Sequence, residues 1–200
     1  LLWKNRDTDF MQNHIDYVKG EKYNFIAVVN SANAYLKEAW MGTNSSGFAL
    51  MNTQSYNLVD VKGDEERGAA NGRVIYRALE VCATIEDFCH FLDTISKPSD
   101  IEANFGVIDA QGGAAMFEVD YHKYVMYDAN NPKDAPYGYI ARTNFSFAGK
   151  VNEGAGYVRY MEADQVLMKA SATGSITPQF IFNDLSRSFR NRMLDIDLRS

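Results

Sequence analysis

Strand-like and helix-like segments occur in blocks along this chain instead of alternating, and that order restricts the fold more than any single motif. Residues 24–30, 34–41 and 47–53 are rich in β-branched, aromatic or alternating apolar side chains and predict strands. Two helices follow. Val74, Ile75, Ala78, Leu79 and Cys82 recur at helical spacing over 73–83, and Ile85, Phe88, Cys89, Leu92 and Ile95 form the stripe of the second, which Pro98 stops by about Lys97. Thr84 with Asp87 three residues later is a capping-box signature. Strands return at 104–109, 114–120, 123–127 and 139–143, with a turn at Gln111-Gly112-Gly113. Helix ends the chain, over 156–172 and again after Thr177-Pro178, a cap residue followed by proline at the first turn. Strands, helices, strands, helices is the signature of an α+β fold with largely antiparallel sheet, not of a βαβ alternation.

The chain has 200 residues, 46% of them hydrophobic and 23% charged, enough to bury one sizeable core, and a single domain over 1–200 is expected. Its longest apolar runs, such as 25–29, are too short for a membrane span, and no signal-peptide pattern opens it. A net charge of −6 argues against nucleic acid as partner, because phosphate binding needs an excess of basic surface. Arg187, Arg190, Arg192 and Arg199 are interleaved with Asp184, Asp195 and Asp197, which reads as a solvated helix face. Cys82 and Cys89, seven apart in a helical pattern, would lie about 10 Å apart, beyond disulfide reach, and read as core side chains. His14 and His122 fall in polar loops and His90 in a helical stripe, with no zinc-like spacing. The segment 60–72 reads as a charged, glycine-rich loop.

Polar residues stand where a core strand would carry hydrophobes. Lys4-Asn5-Arg6-Asp7 follows the apolar Leu1-Leu2-Trp3, and Thr143-Asn144 ends the run Ile140-Ala141-Arg142. Each is also compatible with a simple strand end or turn. Between them lies Gly42-Thr43-Asn44-Ser45-Ser46-Gly47-Phe48, a glycine-bounded turn. Taken with the hairpin at 104–112 and Tyr157-Val158-Arg159-Tyr160, these motifs run in the order found in N-terminal nucleophile hydrolases. The chain resembles the choloylglycine hydrolase and acyl-coenzyme A:isopenicillin N acyltransferase relatives of that group over nearly its whole length.

The resemblance implies a four-layer αββα sandwich with two mainly antiparallel sheets, incomplete at the N-terminus. It implies hydrolysis or acyl transfer at a linear amide of an N-acyl amino acid, penicillin or conjugated bile-salt type. The nucleophile would be an N-terminal cysteine upstream of Leu1, since neither Cys82 nor Cys89 is N-terminal. An α-amino group with a pKa near 8 can serve as base for its own thiol, and the acyl-enzyme's oxyanion needs fixed donors. On that pattern Asp7 would hold the α-amino group, and Lys4 stands where bile-salt hydrolases carry an arginine. Asn144 would be an oxyanion donor, with Asn52 or Gln54 as the second, and Arg159 would assist the nucleophile or anchor nearby loops. Tyr17, Tyr56 and Tyr137 could line an acyl pocket or cap the core. No metal or organic cofactor is implied; the partner is a small-molecule amide, self-association is expected, and export is slightly favoured over a cytoplasmic location. A module that kept the sandwich but lost the nucleophile, and serves in binding or assembly, is the alternative.

Overall fold

A computed structural model describes residues 1–6, 8–59, 68–151, 154–186, 190–191 and 196–197. Seven strands form one antiparallel sheet in chain order: β1 (Asn13–Val18), β2 (Phe25–Asn30), β3 (Met41–Asn44), β4 (Ala49–Gln54), β5 (Ala103–Ile108), β6 (Ala114–Val119) and β7 (Tyr124–Asp128). The helices α1 (Asn71–Val81) and α2 (Ile85–Thr94) connect β4 to β5. The period-two alternation of the strands sends Phe25, Ala27, Val29, Leu50, Phe105, Val107 and Phe117 to one face, where they pack on Ile75, Leu79, Phe88 and Leu92. Phe88 meets Phe117 edge to face at 5.0 Å, in the centre of that core. A smaller core gathers Leu167, Ile181 and Leu185 with Trp3, Tyr139 and Ala141, from α3 (Ala155–Ala172), α4 (Pro178–Phe180) and the π-helical turn Ile181–Leu185 that extends it.

The α+β class with an antiparallel sheet is observed, and the capping box is formed: Thr84 Oγ1 accepts from Asp87 N while Asp87 Oδ2 accepts from Thr84 N. Five expectations are corrected. Residues 34–41 do not form a strand; Ser31–Leu36 is a 3-10 helix, and Lys37 at φ 54° turns the chain so that pairing resumes only at Met41. Residues 13–18, expected as loop and including His14, are the edge strand β1, whose alternation of Ile15 and Tyr17 with polar neighbours was a legible signal. Tyr139–Thr143 has no ladder partner among the described residues; Asn104 Nδ2 takes the carbonyls of Thr143 and Phe145 instead. Cys82 ends α1 and Cys89 lies in α2, so they belong to two helices, not one, and His90 is exposed on α2. At the C-terminal end a two-residue antiparallel ladder pairs Arg190 with Asp197 and Asn191 with Ile196, in place of a helix face. Most of the 60–72 loop lies outside the described residues, and Asn71 and Gly72 already belong to α1.

The glycine-bounded turn explains itself in packing terms. A Cβ on Gly42 would lie 2.5 Å from Ile26 O and 2.6 Å from Leu79 Cδ1, so only glycine lets β3 approach β2 and α1. Gly47 takes φ 85° to close the hairpin. Buried Asn44 joins the two elements: its Oδ1 accepts from Ser46 N and Phe48 N at 3.1 Å each, and its Nδ2 donates to Leu79 O at 2.9 Å and Cys82 O at 2.7 Å. Those two carbonyls belong to the last turn of α1, which lacks intrahelical donors. Asn44→Ala leaves them and the turn amides without a buried partner, and is expected to lower unfolding free energy by about 3 kcal/mol, checked by urea denaturation at unchanged slope.

Candidate active site

Residues 142–148 are held across the sheet by buried polar contacts, and this fixes where Asn144 sits. The Glu118 carboxylate on β6 is wholly buried: Oε1 accepts from Arg142 Nε at 2.5 Å and Phe147 N at 2.9 Å, and Oε2 accepts from Ala148 N at 2.6 Å. The Arg142 guanidinium in turn lies 4.0 Å over Phe147 and 4.7 Å over Tyr127. One residue beyond Phe145, Ser146 Oγ donates to Asn104 Oδ1 at 2.6 Å, and Asn57 Nδ2 donates to Ser146 O at 2.8 Å. Every buried polar group in this set has a partner, so the segment has one low-energy placement.

Asn144 is clamped between β4 and α3. Its Nδ2 donates to Gln54 O at 2.9 Å and lies 3.5 Å from Thr53 Oγ1, while Arg159 Nη2 donates to its Oδ1. Arginine has no acceptor, so the amide oxygen must face Arg159 and the NH2 group must face β4. The first turn of α3 reaches this point because residue 156 is glycine: a Cβ there would lie 2.9 Å from the Asn144 carbonyl. Thr143 Oγ1 donates to Gly156 O at 2.6 Å and fastens the same contact.

Across the cleft, Lys4 Nζ donates to Trp40 O at 3.1 Å and Asn52 Oδ1 at 3.0 Å. β3 pairs with β4 only as far as Met41 opposite Met51, so Lys4 bridges the two strands just past their last pair. Burial lowers the Lys4 ammonium to about 7, and the charge of Arg6 adds to the effect. Arg6 itself donates to Asn30 Oδ1 at 2.6 Å and lies 4.8 Å from the Trp40 ring.

Lys4, Asn52, Thr53, Asn104, Asn144 and Arg159 all line one cleft of about 730 Å³. The remainder of its wall is mostly apolar, with Leu2, Met51, Met116 and Leu167 among its side chains. Its charged lining residues, among those described, are the cations Lys4, Arg142 and Arg159, with no carboxylate. Of the expected site residues, Lys4, Asn52, Asn144, Arg159 and Tyr137 meet here. Gln54 contributes its backbone carbonyl to Asn144 instead of lining the cleft. Tyr17 is a correction: it stands on the edge strand β1, 59% exposed and opposite Ile26, three strands away from β4. Tyr56 is another, because its backbone N donates to Asn144 O at 2.9 Å while its side chain does not line the cleft. Asp7 lies outside the described residues. Thr53, Asn104 and Thr143 were not anticipated; the polar Asn104 inside the apolar run Ala103–Ile108 was the signal.

The two cysteines are remote from this cleft. Cys82 belongs to the core between the sheet and α1 and α2, and Cys89 packs against it. Burial pushes the Cys82 thiol up to about 12, with Asp87 adding, and burial also raises Cys89. Neither is a poised nucleophile. Among the described residues no group of three or more His, Cys, Asp or Glu could hold a metal ion, and no helix is long and apolar enough to cross a membrane.

Two measurements test this electrostatic arrangement. Glu118→Gln leaves Arg142 charged and buried without its counter-ion, and is expected to cost about 3–5 kcal/mol of stability in denaturant unfolding. Lys4 has a folded pKa near 7 against 10.5 for an ordinary lysine. Between these values the unfolded chain binds more protons, so this group makes stability rise with pH. Lys4→Met removes that contribution: the variant's stability relative to the natural residue is greatest below pH 7 and falls steadily toward pH 10.5.

Residues 1–171 match the sequence model of the acyl-coenzyme A:6-aminopenicillanic acid acyl-transferase family. No curated protein matches the chain. Among solved structures, it is similar to penicillin V acylase from Agrobacterium tumefaciens at 17% identity and a TM-score of 0.42, covering 82% of this chain and 46% of that one. It is also similar to two variants of conjugated bile acid hydrolase from Clostridium perfringens, both at 12% identity. Their TM-scores are 0.46 and 0.48, over 82% and 88% of this chain and 59% and 67% of theirs. The chain thus spans about half the length of the first of these structures.

Proposed function

The chain belongs to the acyl-coenzyme A:6-aminopenicillanic acid acyl-transferase family, and we propose that its cleft cleaves, or transfers the acyl group of, a linear amide through an acyl-enzyme. The observation that carries this reading is the oriented Asn144 amide, locked by Arg159 on one side and β4 on the other, in a cleft that also holds Lys4 and Asn52. A donor aimed in advance at the place where negative charge develops is the main electrostatic requirement of acyl transfer.

The nucleophile in this reading is the thiol of an N-terminal cysteine on the segment preceding Leu1, whose side chain lines the cleft. The free α-amine takes the thiol proton, sulfur attacks the carbonyl carbon, and the carbonyl electrons move to oxygen. Asn144 has two amide hydrogens. One is committed to Gln54 O at 2.9 Å; the other, at 3.5 Å from Thr53 Oγ1, makes only a weak bond and is the one offered to the oxyanion. Asn52, held through its oxygen by Lys4, is the second donor. Collapse breaks the C–N bond, the proton on the α-amine goes to the leaving amine, and water or an acceptor amine then resolves the thioester. Asp7 would hold the α-amine. The apolar wall suits the acyl chain, and the cations suit an anionic amine portion such as that of an N-acyl amino acid, a penicillin or a conjugated bile salt.

Intact mass and N-terminal sequencing of the protein purified from its natural source test the nucleophile. A mature chain that begins with cysteine supports the reading, and one that begins at Leu1 or at an inert residue leaves a binding module. In an active preparation Asn144→Ala is expected to lower kcat/KM for the best such amide by about 10²–10³ with little change in KM.

A further inference from the structure

Beside the cleft, on the other side of the wall formed by 137–142, lies a second cavity of about 320 Å³ that the proposed reaction does not use. Five of its lining residues are aromatic. Tyr137 and Tyr139 stack at 6.3 Å with an interplanar angle of 25°, and Phe147 meets Tyr160 edge to face at 5.1 Å and Tyr127 at 6.4 Å. Two carboxylates, Asp134 and Asp164, complete the wall together with Arg142 and Lys133.

The charges in this cavity are not equivalent. Arg142 is neutralised by Glu118, donates through Nη1 to Ala141 O, and lies flat on Phe147, so it is committed to the fold. Lys133 is exposed, and its long stem can carry the ammonium into solvent. Asp164 accepts from Tyr139 OH at 2.7 Å. Asp134 accepts from Asp128 N at 3.1 Å and Asn131 Nδ2 at 3.3 Å, and neither carboxylate has a described ion-pair partner in the cavity wall. Burial raises the hydroxyls of Tyr139 and Tyr160, and the nearby Asp164 raises both further, while Arg142 acts in the opposite direction on Tyr160. Arg142 already covers Phe147 and Tyr127, so the rings left to a ligand are Tyr137, Tyr139 and Tyr160; with Asp134 and Asp164 beside them they favour a cation with an apolar body over a carboxylate.

We propose that this aromatic, carboxylate-bearing cavity is a binding site for a small organic cation of the quaternary or tertiary ammonium class, separate from the amide-cleaving cleft and independent of that activity. Tyr137, 52% exposed, stands at the shared wall and is the ring a ligand would order on entry.

The test is equilibrium binding of choline to the purified chain, followed by tyrosine fluorescence or NMR shifts, with 3,3-dimethyl-1-butanol as the uncharged isostere. Saturable choline binding at least about tenfold tighter than that of the alcohol is expected, since desolvated cation–π contacts are worth a factor of that size. Asp164→Asn keeps an acceptor for Tyr139 OH and so keeps the fold, and should weaken choline about tenfold without changing the alcohol. Tyr137→Leu, at an exposed ring, should weaken choline as well while leaving thermal unfolding unchanged. Equal affinity for the two probes, no saturation by choline, or indifference to both substitutions would overturn the proposal.

Discussion

The buried Glu118 carboxylate is the constraint on which the site's geometry depends. A charge fully removed from water is tolerated only when its lone pairs are met, and here Arg142, Phe147 N and Ala148 N meet them. All three donors come from one strand-free segment, so the carboxylate acts in place of a ladder. It presses 142–148 onto the sheet and thereby presents Asn144 to β4 and Arg159. The same guanidinium also separates the two cavities, with its aromatic contacts on the small one and the cleft on the other side.

A second polar side chain plays the equivalent part on the opposite face of the sheet. Asn44 joins the β3–β4 hairpin to the end of α1, and Gly42 permits the approach that makes this possible. The glycine-bounded motif at 42–48 is therefore an architectural device in this chain. It sets β3 and β4 and so prepares the edge where Lys4 and Asn52 meet, but it contributes no atom to the chemistry.

The cleft and its neighbour differ in electrostatic character over a few residues of shared wall. Beside the paired Arg142 that lines both, the cleft carries Lys4 and Arg159 and no carboxylate among its described lining residues, whereas the smaller cavity carries Asp134, Asp164 and Lys133. That contrast arises from Asp134 and Asp164, which line only the smaller cavity, since Arg142 and its pair with Glu118 are common to both. A chain with a net charge of −6 thus encloses a cleft whose described lining holds no carboxylate, and the overall charge does not predict the local one.

Periodicity and local chemistry in the sequence determined α1, α2 and α3, five of the seven sheet strands, the Thr84–Asp87 box and the Thr177 cap, because each is fixed by neighbours within a few residues. The polar runs at Lys4 and at Thr143-Asn144 were also legible, since hydrophilic side chains after apolar runs are conspicuous, whereas Asn52 in β4 and Arg159 in α3 were named only through the family resemblance. The placement of 139–143, expected as a strand, was decided by Asn104 and Glu118, which are 39 and 24 residues from the groups they bind. Likewise Tyr17 and Tyr56 could be read as pocket residues until sheet order put one on an edge and the other beside the cleft instead of in it. Sequence reports the conformational preference of a residue and its near neighbours. Only the tertiary structure decides which distant donor satisfies a buried acceptor, and in this protein that choice sets the site.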